Sequence, residues 1–506
     1  MYSCIKTCSL QGLDGDVVNV EADLSNGLPK FVIVGLPDAA IKESIERVRA
    51  AIKNSGFEFP LKRITINLAP ANLQKDGSQM DLAIAISIMC ASGLLNINED
   101  EYIFLGELSL DGKINSIQGA LPMVISLREK GFKKFIVPDE NKVECSLVKD
   151  VDIFPVDSLS MAIDFLCNEI NVEKYNGNFE QKDVYYDIDF SDIKGQRFLK
   201  RAMEVAAAGK HNILMIGVPG SGKSMAAKRF PTILPDLDFN ESIEVTKIYS
   251  IAGLLGNNSL VTIPPFRAPH HTSSAVSLIG GGRIPKPGEI SLAHNGVLFL
   301  DELPEFSKNV LEVLRQPLED NTINIARANA TLTYPAKFML VASMNPCPCG
   351  YYGSSNHDCT CSMSAINRYL SKISHPLLDR IDIHLEISAV KYEEISKDSV
   401  EETSYEIRKR VIKAREIQNE RYKDKNFSTN SEIFENQIQK YCKLSESCKK
   451  IMDIAFEKYK FSARTYNKVL KVARTIADLD NKEDIEESHI LEAIRYRSLD
   501  SKYWSI

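Results

Sequence analysis

Short apolar runs and amphipathic segments alternate along the first 170 residues of the chain. The apolar runs have the length and composition of buried strands, and they lie at residues 31–35, 63–68, 102–106 and 134–138. Between residues 37 and 55, apolar side chains recur at three- and four-residue spacing, which predicts an amphipathic helix that ends before Gly56. Residues 80–95 are almost continuously apolar and predict a buried helix. We therefore expect an α+β domain over residues 1–170.

Two changes of pattern divide the rest of the chain. A polar stretch with few hydrophobic residues predicts a linker at 171–184. From 185 to 387 the sequence repeats strand–loop–helix units, which is typical of a nucleotide-binding α/β core built on a parallel sheet. Residues 388–506 are rich in lysine and glutamate with helical periodicity, and they predict a helical lid domain. The predicted fold class is accordingly α/β, in three domains.

Composition narrows the class of protein without identifying a partner. The 506 residues suffice for about three domains, and 44% hydrophobic with 25% charged residues is normal for a globular protein. No apolar stretch approaches the ~18–20 residues of a membrane helix, and the N-terminus has no signal-peptide pattern. Eleven cysteines in such a chain favour reduced thiols and a cytoplasmic location, with no membrane partner. The net charge of −7 neither supports nor excludes DNA binding.

A glycine-rich loop at residues 217–224 (GVPGSGKS) follows a predicted strand and precedes a predicted helix. The backbone N–H groups of such a loop, together with the helix N-terminus, cradle phosphate groups. Lys223 is predicted to reach the β- and γ-phosphates of ATP, and the Ser224 hydroxyl is predicted to bind Mg²⁺. The predicted ATP-binding residues are Gly217, Val218, Pro219, Gly220, Ser221, Gly222, Lys223 and Ser224.

A second apolar strand, at residues 296–300, ends in two carboxylates, Asp301 and Glu302. The carboxyl end of such a strand lies beside the P-loop in an open α/β sheet. We expect Asp301 to hold the Mg²⁺ ion and Glu302 to orient and polarise the attacking water. The alternative is a core strand that is followed by an exposed acidic turn.

Three further residues follow in the order expected of an ATPase of this class. Asn345 follows a third strand, at residues 338–342, where a polar side chain contacts the γ-phosphate and water. Arg380 lies in a turn after a helix. Alone it would be read as a surface ion pair, but after the preceding elements it is typical of an arginine finger inserted into a neighbour's ATP site. Arg464 begins a C-terminal helix, as a second arginine sensor would.

Several longer motifs resemble the ComM/YifB family of magnesium-chelatase-like AAA+ ATPases over essentially the whole chain. They lie at residues 35–40 (GLPDAA), 106–112 (GELSLDG), 266–272 (FRAPHHT), 287–294 (PGEISLAH), 345–350 (NPCPCG) and 473–478 (ARTIAD). The resemblance implies a homohexameric ring with ATP at the subunit interfaces. It also implies a helicase that promotes DNA branch migration in natural transformation, with recombination proteins among its partners. A protein-remodelling or chelatase-type ATPase subunit is the alternative, and we assign no chemistry to His270 or His271.

Two segments resemble the pore-facing elements of such rings. Residues 280–288 (GGGRIPKPG) lie where this branch carries an insertion that projects toward the central pore. Residues 322–335 alternate like the pre-sensor hairpin of ring helicases. Arg283, Lys286 and Arg327 are then candidate contacts to DNA phosphates. The alternative for each of them is a solvated loop.

The first domain resembles the protease domain of Lon, which uses a serine–lysine pair. Residues 75–81 (KDGSQMD) depart from the Lon pattern, because Gln79 stands where the nucleophilic serine belongs. Leu121 stands at the position of the lysine, and Ser78 is one residue out of place. Without nucleophile and base there is no covalent route to peptide cleavage. We therefore expect a domain without peptidase activity that docks or guides a substrate.

Four of the cysteines are clustered in an insertion at residues 347–361. They form two C-x-C pairs, Cys347 with Cys349 and Cys359 with Cys361. Four thiolates that converge from two short turns suit tetrahedral Zn²⁺, although the spacing is not the usual C-x-x-C knuckle, and His357 is a substitute ligand. The alternatives are a reduced loop without metal and a redox-labile cluster.

Overall fold

The N-terminal part of the chain folds around a seven-stranded mixed sheet. In the computed structural model the described residues are 1–177, 186–256, 260–282, 286–326, 331–354, 357–388 and 401–504. The strands of this part are β1 (Tyr2–Gln11), β2 (Asp14–Ser25), β3 (Lys30–Val34), β4 (Arg63–Ala69), β5 (Ile103–Phe104), the short hairpin β6 (Glu107–Leu108) with β7 (Ile114–Asn115), β8 (Lys134–Pro138) and β9 (Asp152–Val156). The large sheet has the order β3-β4-β2-β1-β5-β8-β9, with β1 and β2 as a long antiparallel pair.

The helices of the N-terminal part cover this sheet. They are α1 (Ala39–Asn54), α2 (Asp81–Ser92), α3 (Ala120–Glu129), α4 (Lys142–Cys145) and α5 (Leu159–Leu166). Helix α1 begins where the Asp38 side chain accepts a hydrogen bond from the Ile41 N–H, which satisfies a free donor of the first turn. Helix α2 is buried along nearly its whole length, against β1 and β2. Both helices lie where the hydrophobic pattern predicts them.

The second part of the chain is built on a parallel five-stranded sheet, as the sequence predicts. Its strands and hairpins are β10 (Ile213–Gly217), β11 (Phe266–Arg267), the hairpin β12 (Gly280–Gly281) with β13 (Lys286–Pro287), β14 (Val297–Leu300), the hairpin β15 (Thr322–Ala326) with β16 (Thr331–Pro335), β17 (Met339–Met344) and β18 (Ile383–Ile387). The sheet order is β11-β14-β17-β10-β18. The carboxyl ends of β10, β14 and β17 meet at one edge, where open α/β sheets bind ligands.

Helices and hydrophobic clusters cover both faces of this core sheet. The helices are α6 (Arg197–Gly209), α7 (Lys223–Arg229), α8 (Phe239–Ala252), α9 (Ala275–Ile279), α10 (Glu289–Leu292), α11 (Lys308–Val313), α12 (Pro317–Asp320), α13 (Met363–Leu370) and α14 (His375–Leu378). Successive residues of a strand point to opposite faces. Accordingly, Ile213 and Met215 belong to a hydrophobic cluster that includes residues of the C-terminal helices. Leu214 and Ile216, on the other face, belong to a second cluster that includes residues of the hairpin β15–β16, called here the cluster beneath the hairpins.

The two hairpins of the core lie side by side. Ile325 of β15 belongs to the same buried cluster as Leu278, which precedes β12. A side-chain carbon at Gly280 would lie 3.1 Å from Ile325 Cδ1, so the two segments are in direct contact. The hairpin expected within residues 322–335 is present, with Thr322 opposite Pro335.

Helices form the C-terminal part of the chain and pack against α6 and the amino ends of the core strands. Their bounds are Ser404–Arg421, Ile438–Tyr441, Glu446–Tyr459, Ala463–Leu479, Glu487–Arg495 and Asp500–Tyr503. Arg415 Nη2 donates to the carbonyl oxygen of Ala207 at 2.6 Å, and Lys337 Nζ lies 2.6 Å from Glu432 Oε1. Within the described residues, no helix is long and apolar enough to cross a membrane.

The N-terminal domain contacts the core through α8 and the hairpin segments. Ser250 Oγ of α8 donates a 2.8 Å hydrogen bond to Glu144 Oε2, and burial raises the pKa of this carboxyl. Leu13, in the turn after β1, packs against the cluster beneath the hairpins. Lys286 Nζ of β13 donates to Gln118 Oε1 at 3.3 Å. The N-terminal domain therefore lies against the segments that carry both hairpins.

Candidate nucleotide-binding site

The P-loop connects the buried strand β10 to helix α7 at the carboxyl edge of the core sheet. All five residues of β10 are buried, and Gly222 ends the loop in a left-handed conformation with φ of 84°. Gly217 lies so close to β18 that a side-chain carbon there would be 2.7 Å from the Ile387 carbonyl oxygen. Glycine at both positions therefore allows the tight turn that a phosphate-binding loop requires.

Lys223 lies inside the loop and joins it to the end of β17. Its Nζ donates to the Gly217 carbonyl oxygen at 2.7 Å and to Asn345 Oδ1 at 3.2 Å. Burial lowers the pKa of Lys223, and the Asp301 and Glu302 carboxylates partly oppose this. The structure thus brings the P-loop lysine and the predicted sensor residue together, so that one phosphate group can contact both.

Asp301 lies beside Ser224, as the predicted magnesium site requires. Ser224 Oγ donates to Asp301 Oδ2 at 2.6 Å, and Ser343 Oγ donates to Oδ1 of the same carboxylate. Hydroxyl and carboxylate oxygens are ligands that Mg²⁺ prefers, so the two predicted residues fit this ion. Ser343 was not predicted, because a serine inside an apolar strand has no sequence signal of its own.

Glu302 contacts His271, a histidine for which the sequence indicates no chemistry. Its Oε2 atom lies 3.4 Å from His271 Nδ1, and 54% of its side chain is exposed to solvent. Glu302 has a left-handed backbone with φ of 53°, which for a residue with a side chain costs on the order of 1–3 kcal/mol. The strand order brings the two residues together, because β11 and β14 are neighbours and their carboxyl ends share one edge.

Arg380 lies at the opposite end of the core sheet from the P-loop. Its carbonyl oxygen accepts a 3.0 Å hydrogen bond from Asn212 Nδ2, and Asn212 precedes β10 whereas Lys223 follows it. Five residues of parallel strand span about 16 Å, at about 3.3 Å per residue. The Arg380 guanidinium donates to the Pro376 carbonyl oxygen at 2.6 Å and pairs with Glu319. Arg380 therefore lies away from the phosphate-binding loop of its own chain.

Arg464 lines the same cleft as Arg380, between the amino ends of the core strands and the C-terminal helices. The cleft has a volume of about 930 Å³. Arg464 is exposed at the start of its helix, and it forms no ion pair with any other residue that the structure describes. The two predicted arginines are thus together, and both are separated from Lys223.

A buried ion pair fixes the helix that carries Arg464 to the turn that carries Arg380. Lys468 Nζ lies 2.9 Å from Asp382 Oδ1, and His211 Nδ1 lies 3.3 Å from Oδ2. Burial alone raises the pKa of the Asp382 carboxyl, but Lys468 and His211 overcome this and hold the pKa below its usual range. Removing one partner of a buried pair typically costs about 3–5 kcal/mol. The helix that carries Arg464 is therefore tied directly to the turn that carries Arg380.

The four predicted zinc ligands converge in the insertion after β17. Cys347 Sγ lies 3.3 Å from Cys349 Sγ and 3.6 Å from Cys359 Sγ. All four sulfur atoms, including that of Cys361, lie within 4.8 Å of one another. Tetrahedral Zn²⁺ with Zn–S bonds of about 2.3 Å separates its sulfur ligands by roughly 3.8 Å. The spacing of the cluster therefore fits this ion.

The surroundings of the cluster distinguish its members. Cys347 is buried, whereas the other three cysteines are only partly buried. Hydrogen bonds from the Tyr351 N–H and from the neighbouring cysteines lower the pKa of Cys349 to about 6. The ring of His357, the substitute ligand, packs against the Tyr351 ring instead, with 4.9 Å between ring centres.

One of the three candidate DNA contacts, Lys286, lies within the described residues. Its side chain is exposed in β13, and its ammonium group donates to Gln118 Oε1 at 3.3 Å. Arg283 and Arg327 lie outside the described residues. Lys286 is therefore the one candidate that the structure places on the paired hairpins.

The positions that carry catalysis in Lon hold other groups in this chain. Gln79 is nearly buried, and its amide donates to the Asp76 carbonyl oxygen at 2.7 Å. Leu121 is fully buried in α3, and Ser78 Oγ donates to the Glu107 carboxylate. The lack of peptidase activity stays a prediction.

Three family descriptions match successive parts of the chain. Residues 189–395 match the family described as magnesium chelatase, subunit ChlI, and residues 401–497 match the C-terminal part of that subunit. Residues 20–141 match the family described as subunit ChlI of Mg-chelatase. The core with its P-loop is therefore a magnesium-chelatase-like AAA+ ATPase domain.

Similarity to individual proteins extends over nearly the whole chain. The competence protein ComM of Haemophilus influenzae is 42% identical over 96% of this chain and 96% of its own length. The uncharacterized protein YifB of Escherichia coli is 41% identical over 98% of this chain and 97% of its own length. The Lon protease of Trichlorobacter lovleyi is 25% identical over 28% of this chain and 19% of its own length. Identity at this level over almost the full length shows that the chain belongs to the ComM/YifB family.

Proposed function

We propose that this chain hydrolyses ATP as a homohexameric ring and uses the energy to move DNA strands, as a helicase that promotes branch migration in natural transformation or homologous recombination. The observation that carries the proposal is that Arg380 and Arg464 lie together at the end of the core sheet opposite Lys223. Each chain then supplies the P-loop half of one nucleotide site and the arginine half of a neighbouring site. A closed ring completes every site. The name of the Haemophilus influenzae relative, a competence protein, supports the biological setting.

The P-loop half of each site binds the nucleotide and activates water. Lys223 neutralises phosphate charge, Asn345 contacts the γ-phosphate, and Ser224 with Asp301 holds Mg²⁺. When bound, Mg²⁺ neutralises the charge that develops on the phosphate oxygens. Glu302 accepts a proton from the attacking water and orients it.

The arginine half of each site acts on the nucleotide of the neighbouring subunit. Arg380 and Arg464 approach it together, because the pair between Asp382 and Lys468 ties their two segments. Arg380 exchanges its partner Glu319 for a phosphate oxygen in this step. An arginine finger of this kind contributes about 10³–10⁵-fold to kcat in GTP hydrolysis.

The paired hairpins support DNA as the substrate. They lie against each other through Gly280 and Ile325, and Lys286 is exposed on one of them. A chain with net charge −7 attracts a polyanion poorly by itself, so a ring must gather local basic groups around the strand. Arg283 and Arg327 are further candidates by their position in the sequence. Since such contacts are to phosphates, we expect little sequence preference.

Zn²⁺ in the four-cysteine loop completes the proposed set of cofactors. The mutual distances of the four sulfur atoms support it. Four protein ligands leave no open coordination position, so the metal would be structural. Its place in the chain, directly after Asn345, links it to the nucleotide site.

The N-terminal domain is proposed to guide the substrate rather than to cut it. It lies against both hairpin segments, through Leu13 and Gln118. This position suits a domain that directs DNA, or a recombination protein bound to DNA, toward the ring. A cytoplasmic location is part of the same proposal.

The test is a DNA-remodelling assay with full-length protein. Wild-type chain with ATP is expected to bind forked and four-way DNA as a hexamer and to displace strands or migrate the junction. Glu302→Gln is the matched control, because it removes the carboxylate that activates water and keeps the residues that bind ATP. It is expected to assemble and bind DNA without remodelling it. A wild-type hexamer that hydrolyses ATP yet neither binds nor remodels such DNA would refute the helicase and favour a protein-remodelling ATPase.

A further inference from the structure

The four-cysteine loop begins inside the nucleotide site. Asn345, which accepts the hydrogen bond from Lys223, stands two residues before Cys347. The strand that delivers Asn345, β17, is hydrogen-bonded directly to β10, which ends in the P-loop. The loop that leaves β17 therefore starts beside the residues that bind phosphate.

The same loop packs directly on the P-loop. Gly350 has φ of 89°, and a side-chain carbon at this position would lie 2.6 Å from Pro219 Cδ. Side-chain carbons essentially never approach another heavy atom so closely, so no methyl group fits between the two segments. The backbone at Gly350 is thus in direct contact with the P-loop at Pro219.

The first half of the loop, with Cys347 and Cys349, is anchored by packing only at Cys347, because Cys349 is partly exposed. Cys347 is buried in the cluster beneath the hairpins, together with Tyr503 from the C-terminal helix. The Tyr352 N–H donates to Cys347 Sγ at 3.3 Å, and the Tyr503 hydroxyl donates to Glu386 Oε1 at 2.8 Å. Cys359, in the second half of the loop, is partly buried, and its sulfur atom lies 3.6 Å from Cys347 Sγ.

We propose that metal occupancy of the four-cysteine loop sets the affinity of the P-loop for ATP. A metal ion held by all four sulfur atoms joins the two halves of the loop and restricts the segment that bears on Pro219 and carries Asn345. Without the metal, this segment has more conformations, and a nucleotide must order it on binding, which weakens the affinity. This inference rests on the proposed function, because it requires that the P-loop bind ATP.

The coupling works in both directions. If metal raises the affinity for ATP by some factor, ATP raises the affinity for metal by the same factor. The reciprocal effect is independent of catalysis, since it concerns binding alone. It therefore offers a measurement that does not depend on ATP hydrolysis.

The first experiment compares nucleotide binding with and without the metal site. Full-length wild type and the double variant Cys359→Ser, Cys361→Ser are titrated with a fluorescent, non-hydrolysable ATP analogue. We expect the Kd of the double variant to rise by about tenfold, within the usual range of coupling between sites. Cys167→Ser, an exposed cysteine outside the loop, is the control and should match wild type. An unchanged Kd in a double variant shown to lack zinc overturns the inference.

A second pair of variants tests the packing on the P-loop without removing a ligand. Gly350→Ala places a methyl group against Pro219, whereas Gly353→Ala, also at positive φ, meets no heavy atom closer than 3.6 Å. Both variants carry similar backbone strain, so only the clash differs. We expect Gly350→Ala to weaken binding of the analogue with its zinc retained, and Gly353→Ala to bind as wild type does. Equal affinities for the two variants overturn the inference even if the cysteine variant fails to fold.

The third measurement is the reciprocal one. The zinc affinity of wild type, measured by competition with a chromogenic chelator, should rise when the ATP analogue is present. The coupling is contradicted if wild type carries zinc and binds the analogue, but the analogue does not change its zinc affinity and zinc loss does not change the Kd of the analogue. That outcome leaves the proposed function intact. Wild type that does not bind the analogue at all contradicts the proposed function itself.

Discussion

His271 Nδ1 lies 3.4 Å from Glu302 Oε2, where the carboxyl ends of two neighbouring strands meet. The imidazole thus lies beside one oxygen of the carboxylate. Its own ring is fixed edge-on against Phe306, with 6.5 Å between ring centres. If Glu302 activates water as proposed, His271 is placed to orient its carboxylate.

The His271 contact predicts a moderate decrease in turnover. His271→Ala should lower kcat by about 2- to 10-fold, the equivalent of one hydrogen bond, with little change in KM for ATP. His270→Ala is the comparison variant: it removes the ring that packs on His271 with 4.1 Å between ring centres but leaves the contact with Glu302, so it should have the smaller effect. Steady-state ATPase assays measure both variants. If the two histidine variants behave alike, the contact with Glu302 has no role in hydrolysis.

Replacement of Glu302 itself should be far more severe. Glu302→Gln is expected to lower kcat by about 10²-fold or more, because general-base catalysis contributes at this scale. Binding of ATP should be retained, since Lys223 and Ser224 are unchanged. The measurement is a comparison of ATPase rate with binding of radiolabelled ATP. Hydrolysis at the wild-type rate would remove Glu302 from the mechanism.

The separation of Arg380 from Lys223 predicts complementation between defective subunits. Arg380→Ala chains should bind ATP and hydrolyse it poorly, and Lys223→Ala chains should fail to bind it. In mixed rings, an intact P-loop meets an intact arginine at some interfaces, so activity should partly return. The control mixes Arg380→Ala chains with chains that carry both Arg464→Ala and Lys223→Ala. In these rings, every interface with an intact Lys223 lacks one of the two arginines. Rings that co-assemble without recovering activity would contradict a shared site.

The sulfur cluster predicts a defined metal content. Purified protein should contain about one zinc ion per chain, and the double variant Cys359→Ser, Cys361→Ser should contain none. Elemental analysis after reduction and zinc supplementation measures this. Metal-free wild type under those conditions would leave the cluster as reduced thiols.

The exposed Lys286 predicts a change in salt dependence. If its ammonium group neutralises one DNA phosphate, Lys286→Ala should reduce the slope of log affinity for DNA against log salt concentration by roughly 0.7–0.9. ATPase activity without DNA should stay near the wild-type rate, because Lys286 lies on the hairpin and not at the P-loop. Gln118→Ala is the control, since it removes the hydrogen bond to the N-terminal domain and keeps the ammonium group. An unchanged salt slope would exclude Lys286 from the DNA interface.

Local patterns were enough to predict the elements of the nucleotide site but not all their contacts. The P-loop, the strand before Asp301 and the helix that begins at Ala463 each lie within one short segment, where apolar spacing and a few polar residues identify them. The contact of His271 with Glu302 joins two segments that only the strand order brings together. Nothing local indicates that strand order. Ser343 has no sequence signal for the same reason, because its contact with Asp301 joins the two neighbouring strands β17 and β14.

The positions of the two arginines also depended on tertiary structure. Their order after the P-loop is evident from the sequence, and the structure shows that both lie in the cleft at the far end of the sheet. Their shared placement follows from the pair between Asp382 and Lys468, which are far apart in sequence. The contact between Glu144 and Ser250 was likewise absent from the sequence analysis, because it joins two domains.

The buried Glu144 makes docking of the N-terminal domain sensitive to acidity. Burial raises the pKa of this carboxyl above its ordinary value of 4.5, so the packed state favours the protonated acid. The stability gained in this way is present below the unfolded pKa and is lost as pH rises through the folded pKa. Burial against α8 therefore favours proton uptake only between the ordinary pKa and the raised pKa, and the hydrogen bond from Ser250 partly opposes this. Hydrogen exchange in α8 should accelerate with pH beyond its chemical rate in wild type, and Glu144→Gln should remove that excess.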